Sequence, residues 1–267
     1  MTLALALLVA ALGATTVLQA GWYDASAVRP HFQVVHTLIE RGLQQSVRFH
    51  ARDVQAPPHS AQAALRGGAL YRRSCEQCHG GPGVAQDTIG LSMQPVPGPL
   101  VDAARRWHAR ELYWITRNGI KMSGMPAWGF HLEEQEIWDL VAFLRELPGM
   151  TPGQYQRIAM NAPTPEPEAR QPTRLADAKR GRLALTQFAC QACHRIPGVT
   201  GPQSFVGPAL DGLAGRSLIA GQLPMGQDNL VKWIRAPQEV KPGTAMPRLG
   251  VPEQDARDMA AYLLQAR

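Results

Sequence analysis

The sequence predicts an all-α chain of two tandem helical domains behind one N-terminal transmembrane helix, and three observations predict it. All four cysteines of the 267 residues sit in two copies of one pentapeptide, Cys75-Glu-Gln-Cys78-His79 and Cys190-Gln-Ala-Cys193-His194, offset by 115 residues. Around each copy, apolar positions recur at helical spacing, over 62–78, 109–118 and 133–147 and again over 177–192, 228–235 and 253–266. Ahead of both, Thr2 to Tyr23 carries no charge, and about 20 helical residues at 1.5 Å each match a hydrocarbon core of roughly 30 Å.

Each element has a local reason. Residues 1–23 read as an uncleaved anchor, with a cleaved signal peptide the alternative: no Lys or Arg precedes the apolar run, the nearest cleavage site, Leu18-Gln19-Ala20, is weak, and Trp22 and Tyr23 have the character of interfacial anchors. Residues 24–59 read as an amphipathic arm, a helix after Pro30 with Val34, Val35, Leu38, Ile39 and Leu43 on one side, lying against the first domain, a partner or the membrane surface. The first domain spans 60–150, with Glu133-Glu134 in a first helical turn and Pro148-Gly149 as its stop. Residues 151–175 read as a linker, because NAPTPEPEARQP over 161–172 has four prolines and no apolar period, and such a segment runs extended. The second domain spans 176–267, its last helix opened by Pro252-Glu253.

Composition limits the functions available. Hydrophobic residues make up 45% and charged residues 18%, against a disordered chain or a coiled coil. The formal charge of +6 is diffuse, with no block of five Lys/Arg, so nucleic acid is not an expected partner. Four cysteines are too few for a disulfide scaffold of this length, which turns attention to their spacing.

C-x-x-C-H is the spacing of covalent c-type haem attachment. Residues three apart on a helical turn share a face, so both thiols reach the two vinyl groups on one porphyrin edge and the adjacent His is delivered to the iron. A thioredoxin-type pair has no need of that His, and a four-cysteine zinc site would have to close across 111 intervening residues with both histidines idle. The cofactors expected are therefore two covalently bound haem c groups, attached through Cys75, Cys78, Cys190 and Cys193, with His79 and His194 as proximal iron ligands. Covalent haem in turn places the domains outside the cytoplasm, on the periplasmic side of the inner membrane.

The opposite face of each iron separates electron transfer from catalysis, because a thioether there raises the potential and closes the coordination site. The candidates are Met93, Met122 and Met125 in the first repeat and Met225, Met246 and Met259 in the second. Met125-Pro126 and Met246-Pro247 stand at like distances, 46 and 52 residues past the His, and proline keeps the preceding residue out of helix. That selects Met125 and Met246, with Met122 the fallback and His31, His36, His50 and His59 the arm residues able to replace Met125.

With these residues in hand, the chain resembles the class I cytochrome c family over about 60–150 and 176–267. CQACHRIPG, the run from Val206 to Arg216 and NLVKWIRAPQEVKPGTAMPRLG resemble the cytochrome domain fused to subunit II of caa-type haem-copper oxidases. CEQCHGGPG, ELYWITRNGIKMSGMPAWG and IWDLVAFLREL resemble small membrane-anchored bacterial monohaem cytochromes. The resemblance implies that Pro208, and Pro99 in VPGPL, present a carbonyl to the ring N–H of the haem histidine, fixing its tautomer. It also implies that Arg216 sits by the haem propionates; the first repeat has no such Arg-bearing run.

The function expected is single-electron transfer in a respiratory chain, without a catalytic residue or a small-molecule substrate. The expected partners are a terminal oxidase and an upstream donor such as a quinol-oxidising complex. The rival readings are a cytochrome subunit fed by a periplasmic dehydrogenase and a dihaem peroxidase, which must leave one axial site open.

Overall fold

The computed structural model describes residues 2–26, 32–161, 174–202, 204 and 206–266. The chain divides into two compact units, Met1–Glu166 and Pro167–Arg267. The core of the expected linker, 162–173, lies outside the described residues, as does His31.

The first unit opens with α1 (Thr2–Gln19), a charge-free helix with no buried residue. It is long and apolar enough to cross a membrane, a test that a signal sequence near an N-terminus also passes. Helix α2 (Gln33–Ala51) follows, then α3 (Ala61–Ser74), the single turn α4 (Glu76–His79), two short turns α5 (Thr88–Leu91) and α6 (Ala103–Arg106), α7 (Ala109–Asn118), α8 (Glu134–Glu146) and α9 (Pro152–Asn161). Ser60 caps α3, its hydroxyl accepting from the Ala63 N–H, and Glu111 closes a capping box on α7 by accepting from the His108 N–H at 2.8 Å.

One feature of this unit departs from the sequence reading. Residues 152–161, expected in the linker, form α9, because Tyr155 and Ile158 find apolar cover against α3 and the turn after His79. The arm forms the expected helix; α2 packs on α7 through Val47 and Ala51, His50 stacks on Trp114 at 5.6 Å, and the apolar side of the helix is largely exposed rather than laid against the first domain.

The second unit holds α10 (Ala178–Gln187), α11 (Gln227–Arg235), α12 (Pro237–Val240) and α13 (Glu253–Gln265), with a two-residue hairpin of Leu218–Ile219 and Leu223–Pro224. Asp177 caps α10, its carboxylate accepting from the Lys179 N–H at 2.8 Å and the Arg180 N–H at 3.3 Å. The helical pattern expected to run from 177 to 192 stops at Gln187, where Ala189 turns into the left-handed region at φ 54° before Cys190.

The same helix crossing builds both units. Where α3 meets α8, a Cβ on Gly67 would stand 1.9 Å from the Asp139 carbonyl oxygen; where α10 meets α13, one on Gly181 would stand 2.0 Å from that of Asp258. Only a hydrogen at these positions lets the backbones touch. Each crossing carries a buried carboxylate with a matching set of partners. Asp139 accepts from Arg66 at 2.7 and 2.8 Å and from Gln135 one turn earlier at 3.0 Å. Asp258 accepts from Arg174, from Gln254 one turn earlier at 3.2 Å and from the Asp177 N–H at 2.8 Å, with Arg180 Nε 3.8 Å away. The apolar core spreads from the crossing: Leu70, Tyr71, Ile137, Leu140 and Phe143 in the first unit, Ala184, Leu185, Met259 and Leu263 in the second.

Gly67→Ala is therefore expected to lower the stability of the first unit by about 3 kcal/mol, the upper end of the ordinary overpacking cost. Thermal unfolding followed by far-UV circular dichroism should show an earlier transition for one unit and an unchanged one for the other, and Gly181→Ala should reverse the pattern.

Candidate functional site: two matching Cys-His turns

Both pentapeptides fold into one helical turn at the exit of the crossing helix. The Cys78 and His79 N–H groups donate to the Cys75 carbonyl at 3.1 and 3.0 Å; those of Cys193 and His194 donate to the Cys190 carbonyl at 3.2 and 2.9 Å. None of the four cysteines forms a disulfide. Burial pushes the Cys75 thiol up to about 12 and Cys190 up to about 11, so both stay neutral. The turn after each His is held by a tyrosine hydroxyl, Tyr71 donating to the Gly80 carbonyl at 2.7 Å and Tyr262 to that of Pro197 at 2.6 Å. In the first unit α9 adds a cover: Tyr155 donates to the Glu76 carboxylate, and its ring fills the space where a Cβ on Gly81 would stand, 2.6 Å from Cζ.

Each imidazole is aimed by a backbone carbonyl. His194 Nδ1 meets the Pro208 carbonyl at 2.7 Å. Two more bonds lock that loop to the turn, Gly207 N–H to the Cys193 carbonyl and Leu210 N–H to that of Arg195, both at 2.9 Å. A Cβ on Gly207 would lie 2.4 Å from His194 Cε1, so the ring packs flat against bare backbone. In the first unit the acceptor for His79 Nδ1 is the carbonyl of Gly98, at 2.8 Å, and not that of Pro99. The leucine sets this register: Gly98 stands two residues before Leu100 as Pro208 stands two before Leu210, and Leu100 packs on the core. Burial also lowers the His79 pKa, against the raising effect of its bond to Gly98, and so favours the neutral imidazole.

The guanidinium of Arg216 donates to the carbonyls of Ala209, at 2.5 Å, and Asp211, at 3.3 Å, and so braces the loop that carries Pro208.

The two Met-Pro segments share one loop design. In each, a hydroxyl two residues earlier accepts the methionine N–H, Ser123 Oγ for Met125 at 3.3 Å and Thr244 Oγ1 for Met246 at 3.4 Å. The Met125 carbonyl accepts from the Ile120 N–H at 3.2 Å, and that of Met246 from the Gln238 side chain. Gly119, at φ +67°, ends α7 with its Cβ position only 2.6 Å from the Met125 carbonyl oxygen, so the loop folds back against the helix end. Met125 and Met246 are half-buried, whereas Met122 is 92% exposed at the loop tip. Met259 is fully buried within α13. Met93 packs beside Gly124, its sulfur 3.4 Å from that Cβ position. The arm histidines are engaged elsewhere: His50 on Trp114, His59 with Glu146 at 2.6 Å, and His36 near Glu40 at 3.9 Å.

Sequence reasoning missed Gln86 and Gln238. Gln86 Nε2 donates to the Cys78 carbonyl at 2.6 Å and to that of Pro97, tying the Gly98 loop to the pentapeptide; Gln238 latches the Met246 loop. No motif marks either residue.

The donors fit a covalently held porphyrin. Two thiols stand three residues apart on one turn, and beside them each imidazole is tied at Nδ1 while Nε2 bonds no described residue. Among the described residues no three His, Cys, Asp or Glu converge as a site for a bare metal ion.

Comparison with known proteins agrees in both halves. The family described as cytochrome c oxidase, cbb3-type, subunit III matches residues 62–144, and the family described as cytochrome c matches 178–267. The chain is 37% identical over 97 residues to a "Cytochrome c oxidase subunit 2" of Alkalihalophilus pseudofirmus, a match covering 36% of this chain and 27% of that protein. It is 36% identical over 91 residues to "Cytochrome c2" of Rhodoblastus acidophilus, covering 28% of this chain and 81% of the relative. The chain belongs to the cytochrome c family, with two such domains in tandem and a covalently bound haem c in each.

Proposed function

We propose that this electron carrier is a membrane-anchored dihaem cytochrome, held by α1 in the inner membrane with both haem domains on the periplasmic side. It delivers single electrons to, or within, a haem-copper terminal oxidase and is charged by a quinol-oxidising complex. The observation that carries the reading is the repetition of one complete ligand frame. Each unit has an imidazole aimed by a backbone carbonyl and a half-buried methionine on a loop pinned at its own N–H and carbonyl. Two closed sites suit a relay and not a peroxidase.

The haem irons, when bound, supply the chemistry by alternating between ferric and ferrous states. The residues of the chain do the rest. Cys75, Cys78, Cys190 and Cys193 hold the porphyrins by thioether bonds. His79 and His194 would hold the irons through Nε2, while their Nδ1 protons rest on the carbonyls of Gly98 and Pro208, which keeps the tautomer constant. Met125 and Met246, on their pinned loops, would supply a thioether as the second ligand of each iron. A ligand set unchanged by oxidation state costs little reorganisation, which is the requirement of a carrier. The oxidase assignment is supported by the name of the 37% identical relative and by that of the family matched at 62–144.

Four results are expected. The purified holoprotein should show two haems per chain by pyridine haemochrome assay, and Met125→His should lower one midpoint potential by on the order of a tenth of a volt, within the ~0.8 V that axial ligation spans, leaving the other unmoved. Gly207→Ala, which drives a methyl group into the His194 ring, should abolish the low-spin spectrum of the second haem alone. Affinity purification from native membranes should retain a haem-copper oxidase. A dehydrogenase in its place, or peroxide turnover with an open ferric site in the wild-type protein, would overturn the assignment.

A further inference from the structure

Helix α2 has two faces of opposite kind. At about 100° per residue, Thr37, Gln44, Val47 and Ala51 fall on one side, and Val47 and Ala51 are fully buried where that side packs on α7. Roughly opposite them at that same spacing lie Val35, Leu38, Gly42 and Phe49, flanked by Val34 and Ile39. This second stripe is bare: Leu38 is 62% exposed and Phe49 58%. Arg41 and Arg48 fall together along one edge of the stripe and form no ion pair with any described residue. Arg52 follows on the same edge, its guanidinium 4.2 Å above the Phe49 ring.

We propose that this stripe is a lipid-binding face, and that α2 lies along the surface of the bilayer that α1 enters, with its arginines on anionic headgroups. The proposal rests on the anchor reading of α1. Two further observations choose lipid over a protein partner. Thirteen residues, 20–32, separate α1 from α2, a span of at most about 50 Å, so the helix starts within reach of the membrane surface wherever α1 is inserted. The pattern itself, aliphatic and aromatic side chains bounded by an arginine edge, is that of an interfacial helix on an anionic surface. Because Val47, Ala51 and the His50–Trp114 stack fix α2 on the first haem unit, seating the stripe in lipid sets that unit's orientation above the bilayer, which free rotation on a tether would not.

The test separates α2 from α1. A protease site placed between the two helices is cut in the holoprotein; α1 buries none of its residues, so the haem units keep their packing. The released haem portion is mixed with vesicles of phosphatidylethanolamine and phosphatidylglycerol and followed by haem absorbance on flotation. The portion is expected to float with the vesicles. Val35→Glu with Leu38→Glu should reduce partitioning at least about tenfold, and Arg41→Gln or Arg48→Gln about fivefold each on anionic vesicles only, all with unchanged visible spectra. Release of the wild-type portion to the level of the double Glu variant would overturn the proposal. So would binding to native membranes but not to protein-free vesicles, which would assign the stripe to a protein partner. Failure of the anchor reading is seen separately, as carbonate extraction of the uncut chain from vesicles.

Discussion

Everything in each haem unit hangs on a point where two helix backbones touch without a side chain between them. Gly67 against the Asp139 carbonyl, and Gly181 against that of Asp258, bring α3 onto α8 and α10 onto α13 at a distance that any Cβ would forbid. A contact that close leaves no room for error in angle, so the direction in which the first helix leaves the crossing is fixed. Eight and nine residues later that direction delivers Cys75 and Cys190. The buried carboxylate at each crossing, answered by an arginine and by a glutamine one turn before it, opposes rotation about the contact. Burying such a group is costly when unpaired, so a crossing rotated away from its arginine is penalised.

From that fixed point the sites are built on backbone groups, held in place by a few side chains. The imidazoles are aimed by carbonyls, the methionine loops are pinned at their own N–H and C=O, and the turns after each His are held by tyrosine hydroxyls. Backbone groups carry no side-chain rotamer entropy, which makes them rigid partners for a cofactor whose ligands should not move with its charge. The two units reach this end with different parts. Gln86 ties the proximal loop in the first, whereas Gly207 and Leu210 do so in the second.

The match between sequence and structure is uneven for physical reasons. Helices with a strong apolar period, such as 109–118 and 253–265, stand where the pattern put them, because burial of one face dictates both their existence and their phase. Helix α9 is not legible in the sequence because its ten residues run straight into a proline-rich segment, and what makes it a helix is the glycine-lined surface of a turn distant in sequence. The acceptor for His79 is Gly98 and not Pro99 because the leucine two residues past the carbonyl, and not the Gly-Pro dipeptide, sets the register by entering the core. The repeated Arg-Gly of α3 and α10 and Gln-x-x-x-Asp of α8 and α13 were visible as letters. Their meaning as one cluster needed the helices to cross.

The amino-acid sequence by itself determined the chemistry of this protein: two covalent haem sites, their thiols and imidazoles, and the helical class of the domains around them. It could do so because attachment depends on residues three and four apart, a local geometry that one helical turn supplies wherever it is placed. Tertiary structure alone decided which carbonyl aims each histidine, how Met125 and Met246 are held in their loops and which side of α2 remains uncovered. The histidine bonds join residues 19 and 14 apart along the chain, and close packing of each assembled unit brings them within hydrogen-bonding distance.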